Sequence, residues 1–337
     1  MRILVCEFVT GGGMPAGDAI PSGLAHEGDL MLHALVEDLL DVPGIEVVVT
    51  RDARLRPMPS RVHSIAVGCP EEAWALWEDL ARSVDAVWPI APETGGVLER
   101  MSWLIEVSSC RLFNSRPDAV AIAASKAATA ATLSAAGVPV VPVWRADDMD
   151  EPPGGGPWVV KPDDGVGCME TRLLHDSDAW ARWRASSERA GFVLQPFVPG
   201  TPASLSMLCR DGQAWLLTVN RQHVELSGSS FVYRGGIVGG RASSPDLHDL
   251  AQRVAAAMPG LFGYVGVDFI ATAQGPLVLE VNPRLTTSYV GVRRATGVNV
   301  AAAVLGLLHE PPTPPPPVGR IAPVPLHLEP MGWETAD

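Results

Sequence analysis

Two neighbouring segments decide the fold of this chain, GVDFI at residues 266–270 and LVLEVNPR at residues 277–284. Each is an apolar run interrupted by polar residues, which predicts two adjacent strands. Alternate residues of a strand point to the same face, so Glu280 and Asn282 lie together, and Asp268 reaches that face from the neighbouring strand. Two carboxylates and an amide oxygen are hard ligands that suit Mg²⁺ holding a polyphosphate.

Arg284 follows Asn282 by two residues and points the same way. Its planar guanidinium group suits a phosphate. The alternative interpretation is a solvent-facing strand edge with scattered polar residues. It is disfavoured because the face would otherwise bury Asp268 and Glu280 without partners. The two strands therefore predict a metal and phosphate site.

A second segment, WVVKPDDGVG at residues 158–167, also points to phosphate binding. An apolar strand delivers Lys161, and the glycines that follow let backbone N–H groups approach phosphates. It is not the Walker phosphate loop, because no Gly-Lys-Ser/Thr follows. Taken alone, a plain hairpin turn explains it as well. Beside the acidic strands, phosphate binding becomes the better interpretation.

Lysine usage supplies a third signal. Of the 25 basic residues only two are lysines, Lys126 and Lys161, and the rest are arginines. A lysine on a helix is usually just solvated, but this chain keeps lysine only at two suspected phosphate contacts. A compact ammonium group can contact transferring oxygens where a guanidinium fork would be too wide. We therefore expect both lysines to be functional.

Composition narrows the class of protein. The 337 residues are 47% hydrophobic and 19% charged, which is not typical of disorder, and no run of 18 residues reads as a membrane span. Glu7 follows the first apolar run too soon for a signal peptide. A net charge of −13 disfavours nucleic-acid and anionic-lipid partners. Five dispersed cysteines suggest neither disulfides nor zinc. We expect a cytoplasmic protein with no nucleic-acid or membrane partner.

The first 115 residues predict a parallel α/β sheet. Apolar runs alternate with helical patterns, which implies strands covered by helices on both faces. Ligands bind beyond the carboxyl ends of such strands, which is where the loops 10–23 and 91–96 lie. The predicted strands cover residues 3–9, 46–49, 64–67 and 86–90, and the predicted helices cover 24–40 and 71–83.

The rest of the chain predicts an antiparallel sheet, because the connections between its strands are too short for crossovers. One Ala-rich helix is expected from Pro117 to Gly137. Short strands and two further helices follow. The Pro-rich tail from Glu310 is expected to be an extended surface strap. The strands are predicted at 140–144, 158–161, 192–198, 204–209, 214–219, 264–270 and 276–281, and the helices at 177–190 and 245–258.

These elements, in this order, resemble the ATP-grasp superfamily, and the resemblance extends to about Leu308. It rests on the Lys126 helix, the Lys161 strand with its glycine-rich loop, the Gln195-Pro196-Phe197-Val198 segment and the acidic strands. It implies an α/β plus α+β fold in which two α+β lobes clamp ATP. The expected divisions are an N-terminal α/β domain (1–115), a central lobe (116–190), a C-terminal lobe (191–310) and a Pro-rich tail (311–337).

The resemblance also implies roles for the residues that match. The expected cofactors are ATP and two Mg²⁺ ions, for which Mn²⁺ can substitute. The expected metal ligands are Asp268, Glu280 and Asn282. The expected nucleotide and catalytic residues are Lys126 and Lys161 on the phosphates, Asp163, Gly165 and Gly167 in the closing loop, Gln195, Pro196, Phe197 and Val198 around adenine, and Arg284 on the transferred phosphoryl group.

Two positions depart from the family pattern. Many members have an acid where Gln195 stands and another where Ala203 stands, often for the ribose hydroxyls. How ribose would be bound is therefore left open. The implied chemistry is carboxylate activation, in which ATP forms an acylphosphate and an amine displaces phosphate to give an amide. Positioning and charge neutralisation supply most of the acceleration, and the loop must exclude water.

Several short motifs are similar to a narrower group that contains the tyramine–glutamate ligases of methanofuran and methylofuran biosynthesis. They are CEFVTGGG at 6–13, SGL at 22–24, EGDLM at 27–31, APETGG at 91–96 and NRQ at 220–222. The group implies that the γ-carboxylate of glutamate is joined to tyramine or tyrosine. The alternatives are another amino-acid and amine pair, as in peptide or natural-product assembly, or a nucleotide-binding regulator without catalysis.

Such substrates need a cation for the α-carboxylate, an acid for the α-ammonium group and an apolar slot for the phenol. The candidate cations are Arg221, Arg241 and Arg293, and the candidate acids are Glu27 and Glu93. A glycine-containing segment, residues 231–236 with Gly239-Gly240, is a candidate flap near the acceptor. A solvated surface arginine and an ordinary surface loop are the alternatives. The number of glutamates added and the oligomeric state stay open, and a homodimer is compatible with the sequence.

Overall fold

A computed structural model describes residues 1–17, 19–186 and 190–328 of the chain. Residues 187–189 of the helix predicted at 177–190, and residues 329–337 of the predicted tail, therefore lie outside the described residues. Within the described ranges, no helix combines the length and the apolar character needed to cross a bilayer. The domain boundaries at residues 115, 190 and 310 stay predictions.

The N-terminal part confirms the predicted parallel sheet. Its strand order is β3-β2-β1-β4-β5, and Leu4 of the central strand pairs with Val48 on one side and Val87 on the other. Both faces are apolar and covered by helices, as a parallel sheet requires. The elements are β1 (Arg2–Glu7), α1 (Ser22–Leu40), β2 (Glu46–Asp52), β3 (His63–Val67), α2 (Pro70–Ala81), β4 (Ala86–Ile90), α3 (Val97–Val107) and β5 (Arg111–Leu112).

The rest forms the predicted antiparallel sheet, with strand order β14-β13-β10-β11-β12-β8-β7-β9-β6 and with β15 paired to β12. Its elements are α4 (Pro117–Ala124), α5 (Lys126–Ala135), β6 (Trp144–Arg145), β7 (Trp158–Pro162), β8 (Arg172–Leu174), α6 (Ser177–Ala185), β9 (Phe192–Pro196), β10 (Thr201–Arg210), β11 (Gln213–Ser227), β12 (Ser230–Arg241), α7 (Pro245–Ala257), β13 (Gly263–Thr272), β14 (Gly275–Asn282), α8 (Tyr289–Thr296), α9 (Val300–Gly306) and β15 (Val324–His327).

The prediction of a single helix from Pro117 to Gly137 is wrong, because the helix is interrupted at Ser125. This residue has extended backbone angles, φ −103° and ψ 119°, and separates α4 from α5. Its hydroxyl accepts a hydrogen bond from the backbone N–H of Ala128 at 3.0 Å. A serine that caps the following helix in this way leaves the helical conformation itself. The break places Lys126 at the first turn of α5.

Two further predictions are wrong. The run 140–144 is a strand only at Trp144, while Val140 makes an isolated bridge to Val278. The segment predicted as a flap is β12, which pairs with β11 on one side and with β15 on the other. A side chain at Gly235, whose φ is +104°, would collide with the carbonyl of Leu326 in β15. Gly235 therefore allows two strands to approach closely, and it does not indicate a mobile loop.

The tail is only partly the extended strap that was expected. Residues 324–327 form β15, which pairs with β12 through Val238 and Val324 and through Gly236 and Leu326. Only β12 is assigned as a strand partner of β15 within the described residues. A strand at the edge of a sheet tolerates prolines, which explains how so Pro-rich a segment joins the sheet.

Helix α1 of the N-terminal part is fastened to α8 of the C-terminal part. The buried carboxylate of Asp38 accepts hydrogen bonds from the Tyr289 hydroxyl at 2.8 Å and from Arg293 Nη1 at 3.0 Å. Its backbone carbonyl accepts another from the amide of Asn299 at 2.8 Å. Apolar side chains of α1, α8 and α9 share one buried core around this contact. The contact fixes α1 against the face that carries the site described next.

Candidate active site

A cavity of about 510 Å³ is lined by residues from both sheets. This volume is in the usual range for small-molecule sites. Strands β13 and β14 form one wall, and the first turns after β1 and β4 form the opposite part of the lining, together with α1. The loops 10–23 and 91–96, which were expected at the ligand-binding edge, contribute Met14 and Thr94.

The three predicted metal ligands meet at this cavity. Asp268 and Glu280 are directly paired residues of β13 and β14, and Asn282 pairs with Gly266 further along. The carboxylate of Asp268 accepts hydrogen bonds from Gln222 Nε2 at 3.0 Å and from Asn282 Nδ2 at 3.4 Å. Burial and the neighbouring Glu280 raise the pKa of Asp268 well above its ordinary value. A cation between the two carboxylates would relieve this repulsion.

Both lysines face the acidic strands. Lys126 Nζ lies 3.6 Å from Glu280 Oε2 and donates hydrogen bonds to the carbonyls of Gly165, at 2.6 Å, and Asp163, at 3.2 Å. Burial lowers the pKa of Lys161 to about 8, although the charge of Glu280 acts in the opposite direction. Burial also acts to raise the pKa of Glu280, but Lys126 and Lys161 outweigh it and the pKa is lowered. Positive and negative groups thus share one end of the cavity.

The glycine-rich loop is anchored at both of its acids. The carboxylate of Asp163 accepts hydrogen bonds from Ser125 Oγ at 2.7 Å and from the N–H of Ala127 at 2.9 Å. Asp163 therefore ties the loop to α5 and does not line the cavity, whereas Gly165 and Gly167 do. Asp164 accepts a hydrogen bond from Thr94 at its backbone carbonyl, at 2.8 Å, and one from the N–H of Gly95 at its carboxylate, at 3.1 Å. The loop thereby reaches the N-terminal sheet.

The segment predicted to hold adenine, Gln195, Pro196, Phe197 and Val198, lines the cavity. The amide nitrogen of Gln195 is buried and has no hydrogen-bond partner among the described residues. Such an orphaned donor is unfavourable unless a ligand or water satisfies it. Ala203 is buried in the core, so it does not replace a ribose-binding acid; the cavity is lined instead by its neighbour Ser204.

Arg284 and Glu93 form a buried ion pair between the two parts of the chain. Arg284 donates from Nε and Nη2 to Glu93 Oε2, at 3.0 and 2.8 Å. The charge of Glu93 opposes the effect of burial, and the pKa of Arg284 is raised. Arg284 lines the cavity, and its contact with a transferred phosphoryl group stays a prediction. Glu93, predicted as an acid for a substrate ammonium group, is committed to Arg284 instead.

The three arginines predicted to bind a substrate carboxylate are not brought to the cavity. Arg221 is exposed, and the residue after it, Gln222, lines the cavity in its place. Arg241 is exposed at the end of β12. Arg293 pairs with Asp38 and Asp41 between α8 and α1. Of the predicted substrate residues, Glu27 is the one that the structure places in the lining.

Glu7 and Tyr233 line the cavity although neither was predicted as a site residue. Glu7 is buried at the carboxyl end of β1, where its carboxylate accepts hydrogen bonds from the N–H of Thr10 at 2.5 Å and from its hydroxyl at 2.7 Å. An acid that ends the first strand of a parallel sheet was the available signal. Tyr233 lies in the segment that was interpreted as a flap near the acceptor, and it was not singled out because no strand was predicted there.

The metal site would depend on a mixed donor set. Among the described residues, no group of three or more His, Cys, Asp or Glu side chains is arranged to hold a metal ion. The predicted set has two carboxylates and one amide, with Gln222 beside them. Oxygen donors of this kind suit a divalent cation that also carries phosphate oxygens and water.

Comparison with protein families agrees with this geometry. Residues 123–288 match the model of the ATP-grasp domain, and residues 45–120 match that of the pre ATP-grasp 3 domain. The structure is similar to a crystal structure of an ATP-grasp superfamily protein from Archaeoglobus fulgidus, with a TM-score of 0.70 and 24% sequence identity. That alignment covers 96% of this chain and 91% of the other.

Two curated relatives are ligases by name. A tyramine–L-glutamate ligase of Methanocaldococcus fervens is 23% identical over 281 residues, which cover 80% of this chain and 84% of the relative. An α-L-glutamate ligase of Xylella fastidiosa is 29% identical over 160 residues, which cover 47% of this chain and 52% of that relative. With the two domain matches spanning nearly all of residues 45–288, the chain belongs to the ATP-grasp superfamily, and its similarity to relatives named as ligases supports an ATP-dependent ligase.

Proposed function

We propose that this protein joins the γ-carboxylate of L-glutamate to the amino group of tyramine or tyrosine, with ATP converted to ADP and phosphate. One observation carries the proposal. Lys126 and Lys161 lie at the same end of the cavity as Asp268, Glu280 and Asn282, and the cavity continues to an acidic and apolar wall. The lysines together with the predicted metal ligands fit a metal-bound polyphosphate, and the acidic and apolar wall fits an amine.

The ATP half of the site is assigned to the two lysines, which lie near Glu280, and to Gln195, whose amide nitrogen has no hydrogen-bond partner among the described residues. The two lysines neutralise phosphate charge, and the backbone of Gly165 and Gly167 closes over the phosphates. The unsatisfied amide of Gln195 gains a partner on the nucleotide, while Phe197 lies beside the base. Pro196 and Val198 complete the adenine pocket in this proposal.

The residues on β13 and β14 fit divalent cations, because Asp268 and Glu280 repel each other and their oxygens are hard donors. We assign Asp268, Glu280 and Asn282 to two Mg²⁺ ions. When bound, the ions would neutralise charge on the phosphates. The protein would contribute the fixed positions of the three side chains, with Gln222 orienting Asp268.

The chemistry needs no covalent nucleophile of the protein. The γ-carboxylate attacks the terminal phosphorus of ATP, and Arg284, held by Glu93, stabilises the transferred phosphoryl group. The amine then attacks the acylphosphate. The loop anchored by Asp163 and Asp164 keeps water away from this intermediate.

The names of the relatives support the substrates. The M. fervens relative is named for tyramine and L-glutamate, and the X. fastidiosa relative for L-glutamate. We further propose, from the resemblance of the short motifs, that the product serves furan-type one-carbon cofactor biosynthesis. In a second candidate function, glutamate is still the substrate and an amino acid is the acceptor. The similarity to the α-L-glutamate ligase, which covers 47% of this chain, favours this candidate.

Mass spectrometry of the products tests the proposal. The protein is incubated with Mg-ATP and glutamate together with tyramine, tyrosine or glutamate, and ADP is measured in parallel. A γ-glutamyl amide of tyramine or tyrosine, formed with one ADP per amide, is expected. Products from other acceptors alone would favour the second candidate. Consumption of ATP with no amide from a wider panel of acids and amines would indicate a nucleotide-binding regulator.

A further inference from the structure

One part of the cavity wall contains none of the residues assigned to ATP or the metal ions. On α1, positions 24, 27, 28 and 31 follow the spacing of a single helical face, and all four line the cavity. The turn after β1 continues this surface. It combines Glu27, with Glu7 at its border, with a mainly apolar surface formed by Phe8, Val9, Met14, Leu24, Gly28 and Met31.

Glu27 is an acid without a cation. It is half-buried, and among the described residues no basic nitrogen lies within 4.0 Å of its carboxylate. Arg284 is the cation that interacts electrostatically with Glu27, and it is already paired with Glu93. Burial raises the pKa of Glu27 to about 7, against the effect of Arg284. A carboxylate in such a place gains most from a ligand that brings a positive charge.

The same wall is unsuitable for a ligand carboxylate. Glu7 lies close by, since a side chain at Gly28 would come within 2.7 Å of its carboxyl carbon. The cations that line the cavity within the described residues are Lys126, Lys161 and Arg284, and they face Glu280 and Glu93. A carboxylate on the acceptor would meet two acids without a free cation.

We propose that Glu27 binds the ammonium group of the acceptor amine and accepts its proton, while the apolar wall holds the aryl ring. The site thereby selects an aryl-alkyl amine over the corresponding amino acid. This inference rests on the proposed function and assigns Glu27 to the acceptor, not to the α-ammonium group of glutamate. Tyr233, whose hydroxyl lies near Thr287, faces the same region from β12.

The ammonium group transfers one proton to the Glu27 carboxylate, which gives a neutral amine and a carboxylic acid. The amine nitrogen forms a bond to the carbonyl carbon of the acylphosphate, and the bond from that carbon to the phosphate oxygen breaks. The second proton leaves the nitrogen with the departing phosphate, and Glu27 later releases its proton to solvent. No oxidant or further reactant is needed.

Hydroxylamine separates the two halves of the reaction. It is small and largely unprotonated at neutral pH, so it can trap the acylphosphate as γ-glutamyl hydroxamate without the help of Glu27. We would measure hydroxamate and tyramine amide formation by the wild type, Glu27→Gln and Glu37→Gln, a matched variant at an exposed position of the same helix. The ratio of amide to hydroxamate is expected to fall at least 100-fold in Glu27→Gln and to stay unchanged in Glu37→Gln.

The possible results are distinct. If the wild type forms amide and Glu27→Gln keeps the same ratio, the role of Glu27 is refuted while the proposed function stands. If the wild type forms neither hydroxamate nor amide, both fail together. A second measurement compares tyramine with tyrosine in the wild type. We expect kcat/KM to be at least 100-fold higher for tyramine, and equal values would overturn the selection against an acceptor carboxylate.

Discussion

Glu280 is the residue at which the charges of the site meet. Its carboxylate lies 3.6 Å from Lys126, opposes Asp268 across the strand pair and adds its charge to that felt by Lys161. We predict that Glu280→Gln lowers ligase turnover at least about 100-fold, because the positive groups and the metal lose their shared anion. ADP release measures turnover, and thermal unfolding checks that the fold persists.

Glu225→Gln is the control for this prediction. Glu225 is an exposed acid of β11 that pairs with Arg234, outside the cavity lining. An exposed pair contributes little to stability, so this variant should behave as the wild type. Turnover by Glu280→Gln at the level of this control would contradict the metal assignment.

Glu27 gives a prediction about stability with a definite sign. Its pKa is about 7 in the folded protein and ordinarily 4.5, so the folded state binds more protons between these values. The contribution of Glu27 to stability is therefore present below about pH 4.5 and is lost as the pH rises through 7. Glu27→Gln should melt a few degrees above the wild type at pH 8.5, and the difference should shrink towards pH 5.

Differential scanning calorimetry of both proteins at several pH values measures this effect. The Glu37→Gln variant corrects for the loss of one charge on the same helix. A wild type that is the more stable protein at pH 8.5 would show that the carboxylate of Glu27 is well solvated or paired. That result would remove one support for its role in amine binding.

Residue identities predicted the site best where local spacing decides geometry. Asp268, Glu280 and Asn282 follow from strand alternation, and all line the cavity with Lys126 and Lys161. The prediction did not extend to Glu93 and Arg293, whose partners are distant in sequence. Arg284 follows Glu93 by 191 residues, and Arg293 follows Asp38 by 255. No local pattern reports such pairs.

At the scale of elements, the glycine-rich loop is the part whose movement the chemistry requires. Asp164 joins it to the N-terminal sheet by accepting hydrogen bonds from Thr94 and Gly95. We predict that Asp164→Ala raises the ratio of ADP to amide about two- to five-fold, because a looser loop admits water to the acylphosphate. The ratio is measured by coupled ADP assay and mass spectrometry.

Asp178→Ala, at an exposed position of α6, provides the control. Both variants remove one exposed acid, but only the first removes the contact with the turn at residues 94–96. An unchanged ratio in Asp164→Ala would mean that the contact does not hold the loop closed. Deletion of the side chain leaves the bond from Thr94 to the backbone of residue 164, so a partial effect is expected.

Element predictions failed where a residue has more than one structural use. Glycines at 235 and 236 indicate a loop, yet here Gly235 allows β15 to approach β12 and Gly236 allows β11 to do so. Alanines indicate a continuous helix, yet Ser125 divides it. Polar residues beyond Val219 conceal the second half of β11. The pairing of β12 with β15 and the hydrogen bond from Ser125 to Asp163 join distant segments, and such contacts act beside the local cap at Ser125 to override the local preference.

At the scale of the whole molecule, the amine site exists only while the N-terminal part is docked. Asp38 fastens α1 to α8 through Tyr289 and Arg293. We predict that Asp38→Ala lowers the free energy of unfolding by about 2–3 kcal/mol and raises KM for the amine more than KM for ATP. Denaturant unfolding and steady-state kinetics measure the two effects.

Asp41→Ala is the matched control, because Asp41 contacts the same arginine, at 2.7 Å, from an exposed position. It should change stability by less than about 1 kcal/mol. Equal changes of KM for amine and ATP in Asp38→Ala would contradict the view that α1 belongs to the amine site alone. The parallel sheet was predictable from the alternation of strands with helices and the antiparallel sheet from short connections, but this contact between them was not.

The central claim is that one cavity activates a carboxylate as an acylphosphate and passes it to an amine. Glutamate labelled with ¹⁸O in its γ-carboxylate tests this most directly. After amide formation with unlabelled ATP, mass spectrometry of the inorganic phosphate should show one ¹⁸O atom per amide formed. Amide accompanied by unlabelled phosphate would contradict the account.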